Sequence, residues 1–229
     1  MINNYHNKTH MLFLALLISL IFGGFAHADV TDQQVLVDKA KATFQGLIKK
    51  SDFTWIQENL QSAKGILIVP SMVKAGFVLG GSGGRAVLLT RDDKTGQWSE
   101  PGFYSIGSVT FGLQIGGEAA EVLMVVRTKK GLDKLLASSV KLGGDTSIAV
   151  GPIGGGAKSN VVADIISFSH SKGAYAGLNL EGAMIKVSDK WNEAYYDKAG
   201  VRPTDIFITK SVSNPGSKEL REAVKKAEK

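Results

Sequence analysis

Five residues in the middle of the chain, Gly80-Gly81-Ser82-Gly83-Gly84, have the glycine–x–serine–x–glycine spacing of a hydrolase nucleophile elbow. That chemistry needs the serine on a sharp turn from strand to helix, with a histidine base in reach. Arg85–Thr90 instead reads as more strand, so the context fails. The same stretch fits a loose dinucleotide fingerprint at Gly81, Gly83 and Ala86. It fails too, because no helix N-terminus follows to receive a pyrophosphate. Gly154-Gly155-Gly156-Ala157-Lys158-Ser159 evokes a phosphate-binding loop, but that pattern needs glycine at 152 and 157, where the chain has Pro152 and Ala157.

The supply of catalytic side chains is small. Cysteine is absent, and the four histidines are His6, His10, His27 and His170. Zinc sites of Cys and His and thiol nucleophiles are therefore excluded. His170, at a strand end, reads as a structural or exposed histidine. The acids are scattered, with no calcium-loop spacing, so neither a metal site nor a cofactor is expected. No catalytic residue is assigned, and the chain reads as a non-enzyme. The enzymatic alternative would need Glu118, Glu121 or Glu181 to converge in a cleft. Pairs such as Lys129-Lys130 make no basic stripe, so nucleic acid is not an expected partner.

Three of the histidines lie in the first 28 residues, which have the layout of a cleavable secretory signal. A polar start with one charge, Lys8, leads to an uncharged apolar run from Met11 to Phe25 and then to Ala26-His27-Ala28. The run is about 15 residues, short of the roughly 20 that a spanning helix needs; an uncleaved anchor is the alternative. Residues 29–229 are then expected as a single exported domain, periplasmic or secreted, either free or peripheral to a membrane. Without Lys8 the chain carries 26 basic and 21 acidic residues. That mild excess fits an anionic surface and equally a solubility charge.

The elements that would position any site follow from periodicity. Leu36, Ala40, Phe44, Leu47 and Ile48 recur at helical spacing, and Ser51-Asp52 can cap a second short helix over Phe53, Ile56 and Leu60. Strands are expected at Gly65–Val69, ended by Pro70, then at Gly76–Leu79 and Arg85–Thr90 on either side of the glycines. Others are expected at 103–115, 118–127, 147–150, 165–169, 175–180 and 183–187. Further helices are expected at Lys129–Ser139, Trp191–Tyr196 and Pro203–Thr209, with a charged helix or tail from Gly216. Glycine inside strands marks bends and close backbone approach. The expected fold is α+β: a bent, glycine-rich, mainly antiparallel sheet or barrel-like core with N-terminal and peripheral helices.

Several segments in this order resemble the SYLF domain, also called the Ysc84 or DUF500 family. They are Ala63-Lys64-Gly65 leading to Val69-Pro70, Lys74-Ala75-Gly76-Phe77, Gly80-Gly81-Ser82 with Gly84-Arg85, and Phe103-Tyr104-Ser105-Ile106-Gly107. Phe111–Gly116, Lys141-Leu142-Gly143, Ser171-Lys172-Gly173, Leu180-Glu181-Gly182 and Asn192-Glu193-Ala194-Tyr195-Tyr196 follow, so the similarity covers roughly residues 33–210. The resemblance implies a non-enzymatic module that binds anionic phospholipid or phosphoinositide-like headgroups through an amphipathic N-terminal segment and basic residues. It also implies that some fungal members bind actin and its regulators. Lys64, Lys74, Arg85 and Lys172, each beside a glycine-rich bend, are the expected headgroup contacts. Lys41, Phe44, Leu47 and Ile48 would form a helix lying in the membrane interface, or the same stripe packs on the domain. The alternative function is an envelope structural or protein-interaction module with a protein partner and no lipid ligand.

Overall fold

The structure is a computed structural model that describes residues 31–76, 79–111, 116–152, 162–171, 174–175 and 180–228. Helix α1 (Asp32–Ile48) begins where the Thr31 hydroxyl accepts from the Gln34 N–H at 3.2 Å. Its stripe of Leu36, Ala40, Phe44, Leu47 and Ile48 is buried, with Phe44 fully so. A short helix α2 (Thr54–Asn59) follows, flanked by 3₁₀ turns that bury Phe53 and Leu60.

The strands are β1 (Gly65–Gly76), β2 (Leu79–Thr90), β3 (Gly102–Phe111), β4 (Gly116–Val126), β5 (Ser139–Lys141), β6 (Ile148–Val150), β7 (Ile165–Ser171), β8 (Ala174–Tyr175) and β9 (Met184–Val187). They form one curled, half-barrel sheet in the order β5-β9-β3-β2-β1-β4-β7-β6, with β8 on β7. Every pairing is antiparallel except β6 with β7. The expected α+β class with a bent, mainly antiparallel sheet is what the chain forms.

Both faces of the sheet are covered at one end. Ile66, Ile68, Val87, Leu89, Phe103, Leu123 and Val125 pack under α1 and α2 on one side. The helices α4 (Asp189–Tyr196) and α6 (Lys218–Lys226) join that layer through Tyr195, Leu220 and Val224. Leu67, Leu88, Tyr104, Met124 and Val126 face the other side, against α3 (Lys129–Leu135) and α5 (Pro203–Phe207). Two covered faces explain why Ile66–Val69 is a continuous apolar run rather than an alternating one.

Two strand boundaries depart from expectation. Pro70 does not end β1; the strand passes through a register shift between Ile68 and Ser71 and runs on to Gly76. A bulge leaves a residue outside the ladder, where proline's missing N–H costs nothing. The glycines at 80–84 lie within β2 instead of separating two strands. Gly84 serves that bulge: a Cβ there would stand 2.6 Å from the Ser71 carbonyl oxygen.

Two helices in the second half of the chain also differ from expectation. The helix expected at Lys129–Ser139 stops at Leu135, and Ser139 begins β5. The charged terminal segment is an ordered helix, α6, whose Leu220 and Val224 meet the core. Among the described residues no helix is long and apolar enough to cross a membrane.

Candidate functional site

Cross-strand register draws one line over the face that α1, α4 and α6 share. Ser71 of β1 pairs with Arg85 of β2, Arg85 with Ser105 of β3, Ser105 with Lys186 of β9, and Lys186 with Ser139 of β5. Partners across an antiparallel ladder point to the same side. Arg85 lies two residues before Val87 and Ser105 two after Phe103, so the row continues the face of those core residues beyond the helix layer. Arg85, Lys186, Ser139 and Lys141 are exposed. At about 4.8 Å per strand, the row from β1 to β5 is about 19 Å long.

Each member of this strip has a local reason to be where it is. The Arg85 guanidinium lies 3.9 Å from the Trp191 ring centre, so α4 props it from beneath. Trp191 packs in turn near Phe103, with ring centres 6.0 Å apart. Lys141 sits on the edge strand, where its own N–H donates to Asp145 Oδ2 at 2.7 Å. That bond blunts the edge against further strand pairing. Neither lysine forms an ion pair among the described residues. Three cations alternating with three serine hydroxyls offer donors to oxygen anions and include no base.

The helix beside the strip is fastened by side chains. Asn192 is fully buried, and its Oδ1 accepts from the Phe103 N–H at 2.8 Å. It stands where β9, which pairs only with 104–107, has not yet begun. Tyr196 donates to the Pro101 carbonyl at 2.6 Å, Tyr195 sits edge-on to Phe103, and Glu193 accepts from the Gly200 N–H. Asn192-Glu193-Ala194-Tyr195-Tyr196 is thus a docking segment for α4.

The expected headgroup residues do not assemble. Lys64 lies at the opposite end of β1, paired with Asp93 at 2.7 Å. Lys74 is ten residues on, roughly 30 Å along the strand. It shares the face of Met72, the side opposite Arg85, and is registered with Ser82 and Glu118. Lys172 lies outside the described residues. Only Arg85 belongs to the strip; Lys186 and Lys141 were missed. Their signal was faint, one lysine in each of two short strands, and the register that unites them spans a hundred residues of chain.

The membrane-contact stripe needs correction. Phe44, Leu47 and Ile48 are buried against the sheet, and Lys41 is ion-paired with Glu219 of α6. The stripe packs because the sheet beneath it would otherwise expose Ile66, Ile68 and Phe168.

A second polar cluster lies near the end of α1. The Thr43 hydroxyl donates to Glu121 at 2.9 Å, Glu121 lies 3.7 Å from His170 Nδ1, and Lys50 Nζ lies 2.6 Å from His170 Nε2. An ammonium only donates, so Nε2 accepts and Nδ1 carries the proton. The imidazole does not touch the hydroxyl, so the order is not that of a nucleophile–base–acid triad. Glu181 adjoins Gly143, beyond β9, and three strands separate that region from Glu121. The Glu118 side chain lies outside the described residues. Ser82, the candidate elbow, is within β2 and hydrogen-bonded to Ser108 at 2.7 Å. Among the described residues no group of three His, Asp or Glu could hold a metal ion.

One buried carboxylate has another purpose. Asp164 accepts from Thr128 Oγ1 at 2.6 Å, from Ser147 Oγ at 2.8 Å and Ser147 N–H at 3.2 Å, and from Thr146 Oγ1 at 3.4 Å. The Thr128 hydroxyl foremost, then the Ser147 donors and the Lys130 ammonium, hold its carboxyl well below the usual range against the cost of burial. So strong an anion is a poor base; it ties α3 to the start of β7.

The Ysc84 family model, described as "Las17-binding protein actin regulator", matches residues 107–227. This chain belongs to the Ysc84 family. An SH3 domain-containing protein of Schizosaccharomyces pombe is 34% identical over 144 residues, 60% of this chain and 33% of its own length. The SH3 domain-containing YSC84-like protein 1 of Xenopus laevis is 27% identical over 168 residues, 71% and 50% respectively. LAS seventeen-binding protein 3 of Saccharomyces cerevisiae is 30% identical over 144 residues, 60% and 31%. The chain thus spans a third to a half of the length of these Ysc84-family relatives.

Proposed function

We propose that this chain is a non-enzymatic binding module that attaches to an anionic phospholipid surface, exported by its first 28 residues and acting on the exported side of a membrane. The observation that carries this reading is the exposed strip of Arg85, Lys186 and Lys141, interleaved with serine hydroxyls and without an ion-paired carboxylate. Each basic residue held near an anionic surface contributes about 1 kcal/mol. Three such residues together amount to roughly a hundredfold in binding.

Co-sedimentation with vesicles of phosphatidylglycerol in phosphatidylcholine, at two salt concentrations, tests the reading. Binding should fall with salt, and the Arg85→Gln, Lys141→Gln, Lys186→Gln triple variant should lose most of it. Equal binding by wild type and the triple variant sinks this assignment. Export is checked separately by N-terminal sequencing of the secreted product, which should begin at Asp29.

The names of the relatives favour a second reading, a protein-interaction module, since one is called a LAS seventeen-binding protein. On that reading the same strip meets an acidic protein surface. Pull-down from envelope extracts before and after lipid extraction separates the two: a partner retained without lipid supports the protein reading.

A further inference from the structure

A cavity lies at the covered end of the sheet, beyond the last residues of β2. It has a volume of about 370 Å³ and is walled by the turn after β2, by α3, by the segment after α5, and by α6. Leu132, Leu136, Phe207 and Val212 give it an apolar lining, and Trp98 stands at one side. Allowing about 30 Å³ per non-hydrogen atom, the share of one water in the liquid, it holds about a dozen.

Two features of the wall bear on what the cavity holds. Arg221 of α6 lines the cavity, and its contact with a carboxylate, Glu100, is at 3.3 Å. Its guanidinium makes no hydrogen bond among the described residues, and its Nε is buried without a partner. The buried Nε–H lacks an acceptor, while the rest of the guanidinium, paired with Glu100 and about a third exposed, stays within reach of a ligand. The second feature is Lys210, a non-glycine residue at φ 50°. Its ammonium reaches across to Asp92 at 2.5 Å and straps the 208–213 segment over the cavity. The Ser211 N–H donates to the Asp205 carbonyl at 2.9 Å across this turn, so backbone and ion pair together fix the segment that closes over the cavity.

We propose that this cavity binds a small amphipathic carboxylic acid. Its carboxylate lies between Arg221 and Lys210, and its hydrocarbon body lies on Leu132, Leu136, Phe207 and Val212. The planar guanidinium fork matches a carboxylate. Asp92 and Glu100 also line the site, so a monoanion is accommodated better than a dianionic phosphate. Decanoate, with twelve non-hydrogen atoms, is the probe of matching size.

The test is calorimetric titration of the full chain with decanoate, decanol and acetate, with the arginine Nε–H signals followed by NMR. Decanoate should bind one to one and shift the Arg221 Nε–H signal. Because a hydrogen-bonded charge contributes about 1.5–3 kcal/mol, decanol and the Arg221→Gln variant should each bind about tenfold weaker or worse. Val212→Trp, which fills the cavity from another wall, should abolish binding while the thermal melt reports a folded protein. Vesicle binding through the strip should be unchanged in Arg221→Gln, so failure of one site is distinguishable from failure of the other. No saturable binding up to about 1 mM decanoate overturns the proposal. So does decanol binding as tightly as decanoate, which would mean an apolar crevice only.

Discussion

At one end of β1–β4 the side chains are enclosed on both faces, and toward the other end the same strands are rich in glycine and serine. Ile66, Leu67, Ile68 and Val69 are all at 0% exposure, as are Leu88, Phe103 and Val125. Past the bulge small residues predominate, Ser71, Gly81, Ser82, Gly83, Gly84 and Gly107 among them, and Val73 is 52% exposed. Helices cover both faces of the first end; the second leaves its backbone near the surface. The first end spends its residues on cohesion. The second commits only its far face, through Met72 and Ile106, and on its near face the strip of Arg85, Lys186 and Lys141 lies open. The bulge at Pro70 and the close approach of Gly84 mark the divide.

The comparison breaks most visibly under truncation. Phe44→Ala removes a fully buried ring from the covered end and should cost about 3–5 kcal/mol. Val73→Ala at the open end should change stability by less than about 0.5 kcal/mol. Urea unfolding of the two variants measures both, and similar losses would mean that the open end is itself part of the cohesive core.

Asp164→Asn comes next. It replaces an acceptor-only carboxylate surrounded by donors and should cost about 1–3 kcal/mol. The folded-state pKa is depressed, so the unfolded state binds the proton more readily. The carboxylate's contribution is whole above about pH 4, the unfolded-state value, and is lost as pH falls toward the folded-state value. Wild type should therefore lose stability on acidification more steeply than the variant, as melting across that range would record.

Glycine positions sharpen the boundary itself. Gly84→Ala forces a Cβ against the Ser71 carbonyl and should cost about 1–3 kcal/mol. At Gly83 the nearest atom to a Cβ is 3.6 Å away, so Gly83→Ala should be neutral within about 0.5 kcal/mol. If the two melt alike, the bulge is not what requires glycine. The smallest expected effect on stability belongs to Lys141→Gln and Lys186→Gln, each within about 0.5 kcal/mol. Their effect is read on vesicles instead, and a large stability loss would place them in the fold rather than at a surface.

Much of the fold was legible. The stripe of α1, the apolar run at Ile66–Val69 and the α4 segment each carry their period in adjacent residues. The boundaries at Pro70 and at Gly80–Gly84 were misread because proline and glycine also occur where strands bulge, and local sequence does not say which. The strip was legible only at Arg85. Lys141 and Lys186 join it through pairings of β5 with β9, β9 with β3 and β3 with β2, and short strands of three and four residues give little sign of their register. Lys64 and Lys74 looked equivalent in sequence, each beside a glycine, yet they lie at opposite ends of β1.

The amino-acid sequence alone determined what this protein lacks and what its segments prefer. It has no cysteine, one histidine past residue 28, no metal spacing, an export-like start, and strands rich in glycine. Composition and periodicity decide such matters because they depend on residues near one another in the chain. Tertiary structure alone decided where the charges go. It buried the amphipathic face of α1, committed Lys64 to Asp93 and Lys41 to Glu219, and left Lys141 and Lys186 beside Arg85. Partner choice for a charged side chain is set by which strands and helices meet in space, and those meetings join residues from 29 to 178 positions apart.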